Sequence, residues 1–319
     1  MAFEDGLGND SSQQRDENHA LSAYDIIATT IKLWYRKLFY YIIIVGLISV
    51  LSIGFSIVLL SLLFGSVGTI GVNPFTYLVN IFFEATIDIP LVVVTIAFAF
   101  FAFIINAFVL GAAIKFTLDE YGGSGGDIRV SFSHSLGRIV PVIIVQFILS
   151  FLTAIIFTPA SYFLNQAISM VDITDITNPI IPPAAIQLML AGFALFAIGG
   201  LFLIYINVRF VAALAVVIDT DLSAVDSLKR SWKLSSGNFL HIFGSYILLS
   251  VVILIIGMAL TVVLGFILLP LDTLTVIDAV LTALLISSLS YIFTAVIYRD
   301  LESRLGDKDD DSLPSFIGE

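Results

Sequence analysis

Few side chains in this chain could do chemistry, and their spacing allows three kinds of it: a polar path through an apolar segment, cation binding by paired carboxylates, and acid–base work by histidine. Arg209, eight residues before the end of an apolar run at Val217, could line a path with Asn106 and Asn207. An ionisable group inside such a run is a functional hypothesis by default. The simpler readings are an arginine that snorkels to headgroup depth and two amides that bond neighbouring helices, worth about 0.6 kcal/mol each. Asp172 with Asp175, and Asp219 with Asp221, are spaced to hold a hard cation, yet Asp and Thr are also ordinary turn and cap residues. His19, His134 and His241 are scattered over a tail, an amphipathic segment and an apolar run, and neither His241 nor Gln146 has an acidic neighbour in sequence to build a proton relay. The GGSGG of Gly122 to Gly126 lacks the lysine and following helix of a phosphate loop. With no cysteine, no H-E-x-x-H and no G-x-S-x-G, the expectation is no enzyme, no metal and no cofactor.

The other informative residues are basic and aromatic, and they cluster. In DLSAVDSLKRSWKLSSGNF, Asp221 to Phe239, helical spacing puts Ala224, Val225, Leu228 and Trp232 on one side and Asp226, Lys229, Arg230 and Lys233 on the other. Ser223 with Asp226 opens a capping box, and Gly237 with Asn238 supplies a stop. This predicts a helix of about three turns, too short and charged to cross a bilayer but suited to the headgroup layer. A second such segment starts at Leu21, with Ser22 and Asp25 in the same spacing, Tyr24, Ile27, Ala28, Ile31, Trp34 and Leu38 on one face, and Lys32 and Arg36 off it. The candidate headgroup residues are therefore Lys32, Trp34, Arg36, Lys37, Lys229, Arg230, Trp232 and Lys233.

These segments need a scaffold, and composition names it. A mean hydropathy of +1.05, with 59% hydrophobic and 12% charged residues, describes a polytopic membrane protein rather than a chain that could bury its apolar surface alone. The acidic excess, 25 against 14, argues against nucleic acid and suits a very salty cell interior. Six runs can span a core of about 30 Å: Leu38 to Phe64, Pro90 to Thr117, Ile139 to Phe157, Ala184 to Val217, Phe239 to Leu269 and Leu274 to Tyr298. All 14 Lys and Arg lie in the tails, the even loops or the adjoining span ends, which places both termini in the cytoplasm. In the first outer loop, Asn73 and Pro74 followed by Phe75, Leu78, Val79, Phe82 and Phe83 predict a surface-lying or capping helix.

The architecture repeats. An interfacial helix, a span out, an acidic loop and a span back begin near Leu21, Ile128 and Ser223, and NAFVLGAAI (Asn106 to Ile114) aligns with NVRFVAALA (Asn207 to Ala215). The middle copy is the weakest, because its elbow, Asp127 to Arg138, has neither a belt Trp or Tyr nor a capping box. The predicted fold is all-α, a membrane bundle of six transmembrane helices arranged as three hairpins, each preceded by an amphipathic interfacial helix. Residues 1–20 read as a disordered acidic tail, 21–298 as the membrane domain with repeats at about 21–120, 127–220 and 221–298, and 299–319 as a second acidic tail.

The run LSAVDSLKRSWKLSSGNF, with TAVIYRDLESR closing the last hairpin, resembles six-span proteins of unknown function related to the membrane domain fused to some glycerophosphodiester phosphodiesterases, and its acidity resembles their haloarchaeal branch. Ser227 stands where that group more often has Ala, and Tyr298-Arg299-Asp300 departs from Tyr-Tyr-Asp. The resemblance implies fold and topology and no activity, and no phosphodiesterase domain is expected after the short C-terminal tail. Two functions are expected in turn: a non-enzymatic protein that organises or binds lipid or a membrane partner through its elbows, or a small-molecule or ion transporter with a path past Asn106, Asn207 and Arg209. Lipids, and a membrane-protein partner or a second copy of the chain, are the partners expected.

Overall fold

The computed structural model describes residues 21–65, 89–171, 182–266 and 271–310, and among these the regular structure is helical. In chain order the helices are α1 (Ala23–Gly65), α2 (Ile89–Tyr121), α3 (Ile128–Gly137), α4 (Ile139–Ser169), α5 (Pro183–Arg209), α6 (Ala213–Asp219), α7 (Ala224–Ser235), α8 (Phe239–Gly265) and α9 (Leu271–Asp310). Five stretches among the described residues are long and apolar enough to cross a membrane: Ala99–Tyr121, Ile139–Ser169, Pro183–Asp219, Phe239–Gly265 and Val280–Leu305. The expected first span, Leu38 to Phe64, is helical inside α1 but is not among the five. The helix expected at 73–83, Asp172, Asp175 and the tail at 1–20 lie outside the described residues. Helix α9 runs on to Asp310, so much of the expected C-terminal tail is helical.

Three short arms, the elbows, carry the long helices. They are the part of α1 before Lys37, then α3 and α7. Each begins on a side-chain cap: the backbone N–H of Asp25 donates to Ser22 Oγ (3.2 Å), that of Val130 to Asp127 Oδ1 (2.9 Å) and that of Asp226 to Ser223 Oγ (3.2 Å). Each satisfies a donor that the first turn of a helix would leave open. The first two arms bend into a long helix at one non-helical residue, Lys37 (φ −120°, ψ 20°) and Arg138 (φ −107°, ψ 11°); the third turns through Ser236, Gly237 (φ 82°) and Asn238, the last with nearly the same conformation (φ −113°, ψ 15°).

The long helices pack unevenly. Helices α4 and α5 form a hairpin that closes at Gly192 and Gly199, where a Cβ would stand 2.7 Å from Leu164 Cγ and 2.9 Å from Ile156 Cγ2. Glycine at such points lets helix backbones approach where lipid supplies no hydrophobic drive. Helix α1 packs on α9, α2 and α8, and α2 also on α9, α3 and α4. The closely packed core sits at the elbow end, around Tyr41, Ile114, Phe116, Ile218, Phe293 and Tyr298. Away from it the bundle turns apolar side chains outward, including Phe151, Phe193, Phe196, Leu254, Ile255 and Val263. A surface of that kind belongs in lipid.

One expected span is broken. The run Ala184 to Val217 stops as a continuous helix at Phe210 (φ −108°, ψ 15°) and resumes as α6, a short helix packed against α2, α4, α7 and α9. The Arg209 carbonyl at the break accepts hydrogen bonds from Ser231 Oγ (3.0 Å) and Ser235 Oγ (3.2 Å) of α7. Those hydroxyls stand in for the backbone donors that a continuous helix would have supplied.

Candidate functional site

Where the elbows meet the spans, carboxylates join parts of the chain far apart in sequence. Asp300 is 2% exposed; its Oδ1 accepts from the Leu21 N–H (2.7 Å), while Oδ2 accepts from Arg304 Nε and lies close to His241 Nε2, both at 2.9 Å. One carboxylate therefore holds the start of the first elbow, α8 and α9 together. Arg304 also donates to the Leu21 carbonyl. Glu120, at the end of α2, pairs with Lys37 at the first bend (2.7 Å) and accepts from the Gly126 N–H (2.8 Å), next to the cap of the second elbow. Arg138, at the second bend, lies 3.7 Å from Asp221 and donates to the carbonyls of Val217 (3.1 Å), Thr220 (2.6 Å) and Leu222 (2.8 Å), just before the third elbow. The first two bends thus each carry a cation, Lys37 and Arg138, that meets the end of α2 and the end of α6 with the segment after it, respectively.

Buried ionic groups of this kind persist only when their hydrogen-bonding capacity is met, and here it is met across the bundle. Asp219 accepts from Tyr298 Oη (2.8 Å) and Arg299 Nη2 (3.2 Å). Asp219 therefore ties α6 to α9, while Asp221 stands exposed beside Arg138. Among the described residues no group of three His, Cys, Asp or Glu is placed to hold a metal ion. His241 gains from α9 the acidic partner that its sequence neighbourhood lacks.

The elbow faces are reassigned. On α7 the buried side is Ala224, Ser227, Ser231, Leu234 and Ser235, and the exposed side carries Val225 and Trp232 together with Lys229 and Lys233. The expected division put Val225 and Trp232 opposite the lysines. Serine reads as a surface residue in sequence, yet its small side chain lets an arm lie close to the bundle. The Ser227 hydroxyl is buried without a hydrogen-bond partner among the described residues, while those of Ser231 and Ser235 reach a backbone carbonyl. Ser135 of α3 does the same, donating to the Phe108 carbonyl at 2.6 Å. On the first elbow, Ile26, Ile27 and Thr30 are buried, while Tyr24, Ala28, Lys32, Tyr35 and Arg36 are exposed.

Of the eight residues expected at headgroups, five stand exposed without a salt bridge across the bundle: Lys32, Arg36, Lys229, Trp232 and Lys233. Trp34 turns inward and donates from Nε1 to Ser288 Oγ (3.0 Å), and Lys37 is held by Glu120. Arg230 is exposed but paired with Glu302 of α9, which raises its guanidinium pKa. The Ser223 hydroxyl, and after it Lys229, hold the Asp226 carboxyl below its ordinary range.

The three intramembrane candidates do not converge. Asn106 is half-buried on α2, and Asn207 is exposed in a groove between α5 and α8; helices α2 and α5 are not packed side by side. Arg209 lies among aromatic rings, its guanidinium carbon 4.8 Å from the Trp232 ring centre, 5.3 Å from that of Tyr205 and 6.0 Å from that of Phe239. Its Nε donates to Tyr205 Oη at 3.3 Å.

Residues 185–299 match the membrane domain of glycerophosphoryl diester phosphodiesterase. The match runs from α5 almost to Asp300, so it takes in the third elbow, the hairpin after it, and Tyr298 with the Asp219 to which it donates. The relation implied by the elbow and closing motifs therefore holds over this segment. No curated protein and no solved structure matches the chain.

Proposed function

We propose that this is a non-enzymatic, multi-pass protein of the cell membrane whose three elbows lie in the cytoplasmic headgroup layer and hold anionic lipid. One observation carries the reading: the exposed faces of the first and third elbows mix cations with aromatic or apolar side chains, Lys32 and Arg36 with Tyr24 and Tyr35, then Lys229 and Lys233 with Val225 and Trp232. Aromatic rings favour the boundary between hydrocarbon and water, and each basic residue near an anionic surface adds about 1 kcal/mol.

Three repeats of elbow, span, loop and span, with six crossings and both termini cytoplasmic, complete the proposal. Support comes from the matching bends at Lys37, Arg138 and Asn238 and from equivalent contacts in successive units. Ser135 bonds the Phe108 carbonyl as Ser235 bonds that of Arg209, and the two carbonyl positions align when Asn106 is set against Asn207. The ring would close where Asp300 accepts from the Leu21 N–H, just before the first cap, as Glu120 accepts from the Gly126 N–H, just before the second. The acidic excess supports a salty cytoplasm, as in the haloarchaeal relatives the chain resembles. A transport path finds less support, since Asn106 and Asn207 stand on helices that are not side by side.

The test is lipid retention. Full-length protein with Lys32, Arg36, Lys229 and Lys233 all changed to Gln should keep its helix content and lose at least half of the anionic lipid that co-purifies with wild type. Equal retention by the two proteins would end the proposal.

A further inference from the structure

The groove between α5 and α8 is the seam at which the α4–α5 hairpin meets the rest of the bundle. It has a volume of about 420 Å³ and is lined by Ile204, Asn207 and Val208 from α5 and by α8 from Phe243 to Leu254. Its walls are apolar apart from Asn207, Ser250 and Tyr246. At 1.5 Å per residue the lining of α8 extends about 16 Å, half of a hydrocarbon core of about 30 Å. That is the depth of one leaflet.

The elbow end of the groove carries a cation in an unusual state. Arg209 follows Val208, and the Phe239 ring beside its guanidinium stacks on Phe243 of the groove wall, with ring centres 6.1 Å apart. Arg209 makes no salt bridge among the described residues, and its buried Nη1 has no hydrogen-bond partner there. Ring faces attract a cation but accept only weakly, so a guanidinium held this way retains donors for an oxyanion. Planar donors of this type suit phosphate.

We infer that this seam is a specific site for one anionic phospholipid of the elbow-side leaflet, with its phosphate on Arg209 and one acyl chain along the groove to Leu254. The inference rests on the proposed orientation of the elbows in the headgroup layer, but it concerns residues other than the exposed lysines. Charge complementarity at one end, an apolar wall of one-leaflet depth, and an opening to the lipid-facing surface all fit that occupant. A free phosphate would have no use for the groove.

Native mass spectrometry of the full chain, titrated with phosphatidylglycerol and with phosphatidylcholine of the same acyl chains, tests it. The expected result is a first phosphatidylglycerol adduct that forms at a concentration about tenfold lower than the phosphatidylcholine adduct. Arg209→Gln should remove that difference, and Ser250→Phe, which fills the groove from an exposed position without touching the cage, should weaken the first adduct of either lipid at least fivefold. Equal binding of the two lipids by wild type would overturn the site, as would a first adduct unchanged in both variants. If Arg209→Gln does not fold, Arg209→Lys and Ser250→Phe decide. Changing Lys229 and Lys233 to Gln should thin the later adducts and spare the first, so failure of the general headgroup reading would leave a different pattern from failure of this site.

Discussion

Replacing Asp300 by Asn keeps the shape of the side chain and removes its charge from the point where both ends of the membrane domain meet. The wild-type carboxylate takes bonds from the Leu21 N–H and Arg304 Nε and lies within hydrogen-bond distance of His241 Nε2, and it is 2% exposed. An amide keeps one acceptor oxygen and turns an NH2 toward groups that are themselves donors. Breaking a buried ion pair costs about 3–5 kcal/mol. The lower end applies, because the Arg304 side chain is 21% exposed and keeps the Leu21 carbonyl as an acceptor. A cost of about 3 kcal/mol is roughly a 150-fold rise in the population with the first elbow detached. Hydrogen exchange of residues 21–36 reports this directly: opening should accelerate by about two orders of magnitude, while α4 and α5, which share no bond with Asp300, should keep wild-type protection. Glu302→Gln, which removes the charge from the more exposed Arg230 pair, should cost below about 1 kcal/mol. Exchange in the first elbow within threefold of wild type for Asp300→Asn would refute the claim that this carboxylate fastens the arm.

Two further outcomes follow from the contacts. A Cβ at Gly111 would meet Ser135 Oγ at 2.4 Å and Ile218 Cδ1 at 3.1 Å, so Gly111→Ala should lower thermal stability by about 1–3 kcal/mol; Ser135→Gly in the same chain should restore part of it, and a double variant no better than the single would count against this contact. The Asp226 carboxyl is held below its ordinary pKa in the folded chain, so its support for α7 is present above the unfolded-chain value and is lost as pH falls through the lower folded one. Amide exchange at residues 224–227, corrected for intrinsic rates, should therefore rise only below about pH 4, and Ser223→Ala should move that onset upward; a wild-type onset near neutrality would contradict the cap.

Legibility depended on the distance over which a signal acts. Capping boxes at Ser22 and Ser223 and the stop at Gly237 are local, and each stands where spacing puts it. Which face of an elbow is buried was misjudged at Val225, Trp232 and Tyr24, because a hydrophobic wheel assumes that the interior takes the apolar side. When lipid surrounds the bundle, apolar residues are welcome outside, and the inward face goes to serines small enough to let backbones approach. The break at Phe210 was invisible for a related reason: Ala213 to Val217 is as apolar as a span but turns aside beneath the bundle, packed by α2, α4, α7 and α9. Of the residues that fasten the elbow end, Asp300, Glu120 and Arg138 carry no local signal of their pairing, because Asp300 with His241, Glu120 with Lys37 and Arg138 with Val217 are each at least 59 positions apart.

The sequence alone determined that this chain is helical, apolar enough for several membrane crossings and punctuated by charged arms, since hydropathy, capping and periodicity are properties of residues and their near neighbours. The pairing of His241 with Asp300, of Lys37 with Glu120 and of Tyr298 with Asp219 was decided only by the tertiary structure. Each pair joins residues between 59 and 83 positions apart. Whether a charge is buried and neutralised or left free to meet a lipid depends on which helix arrives beside it, and that arrival is a property of the whole bundle.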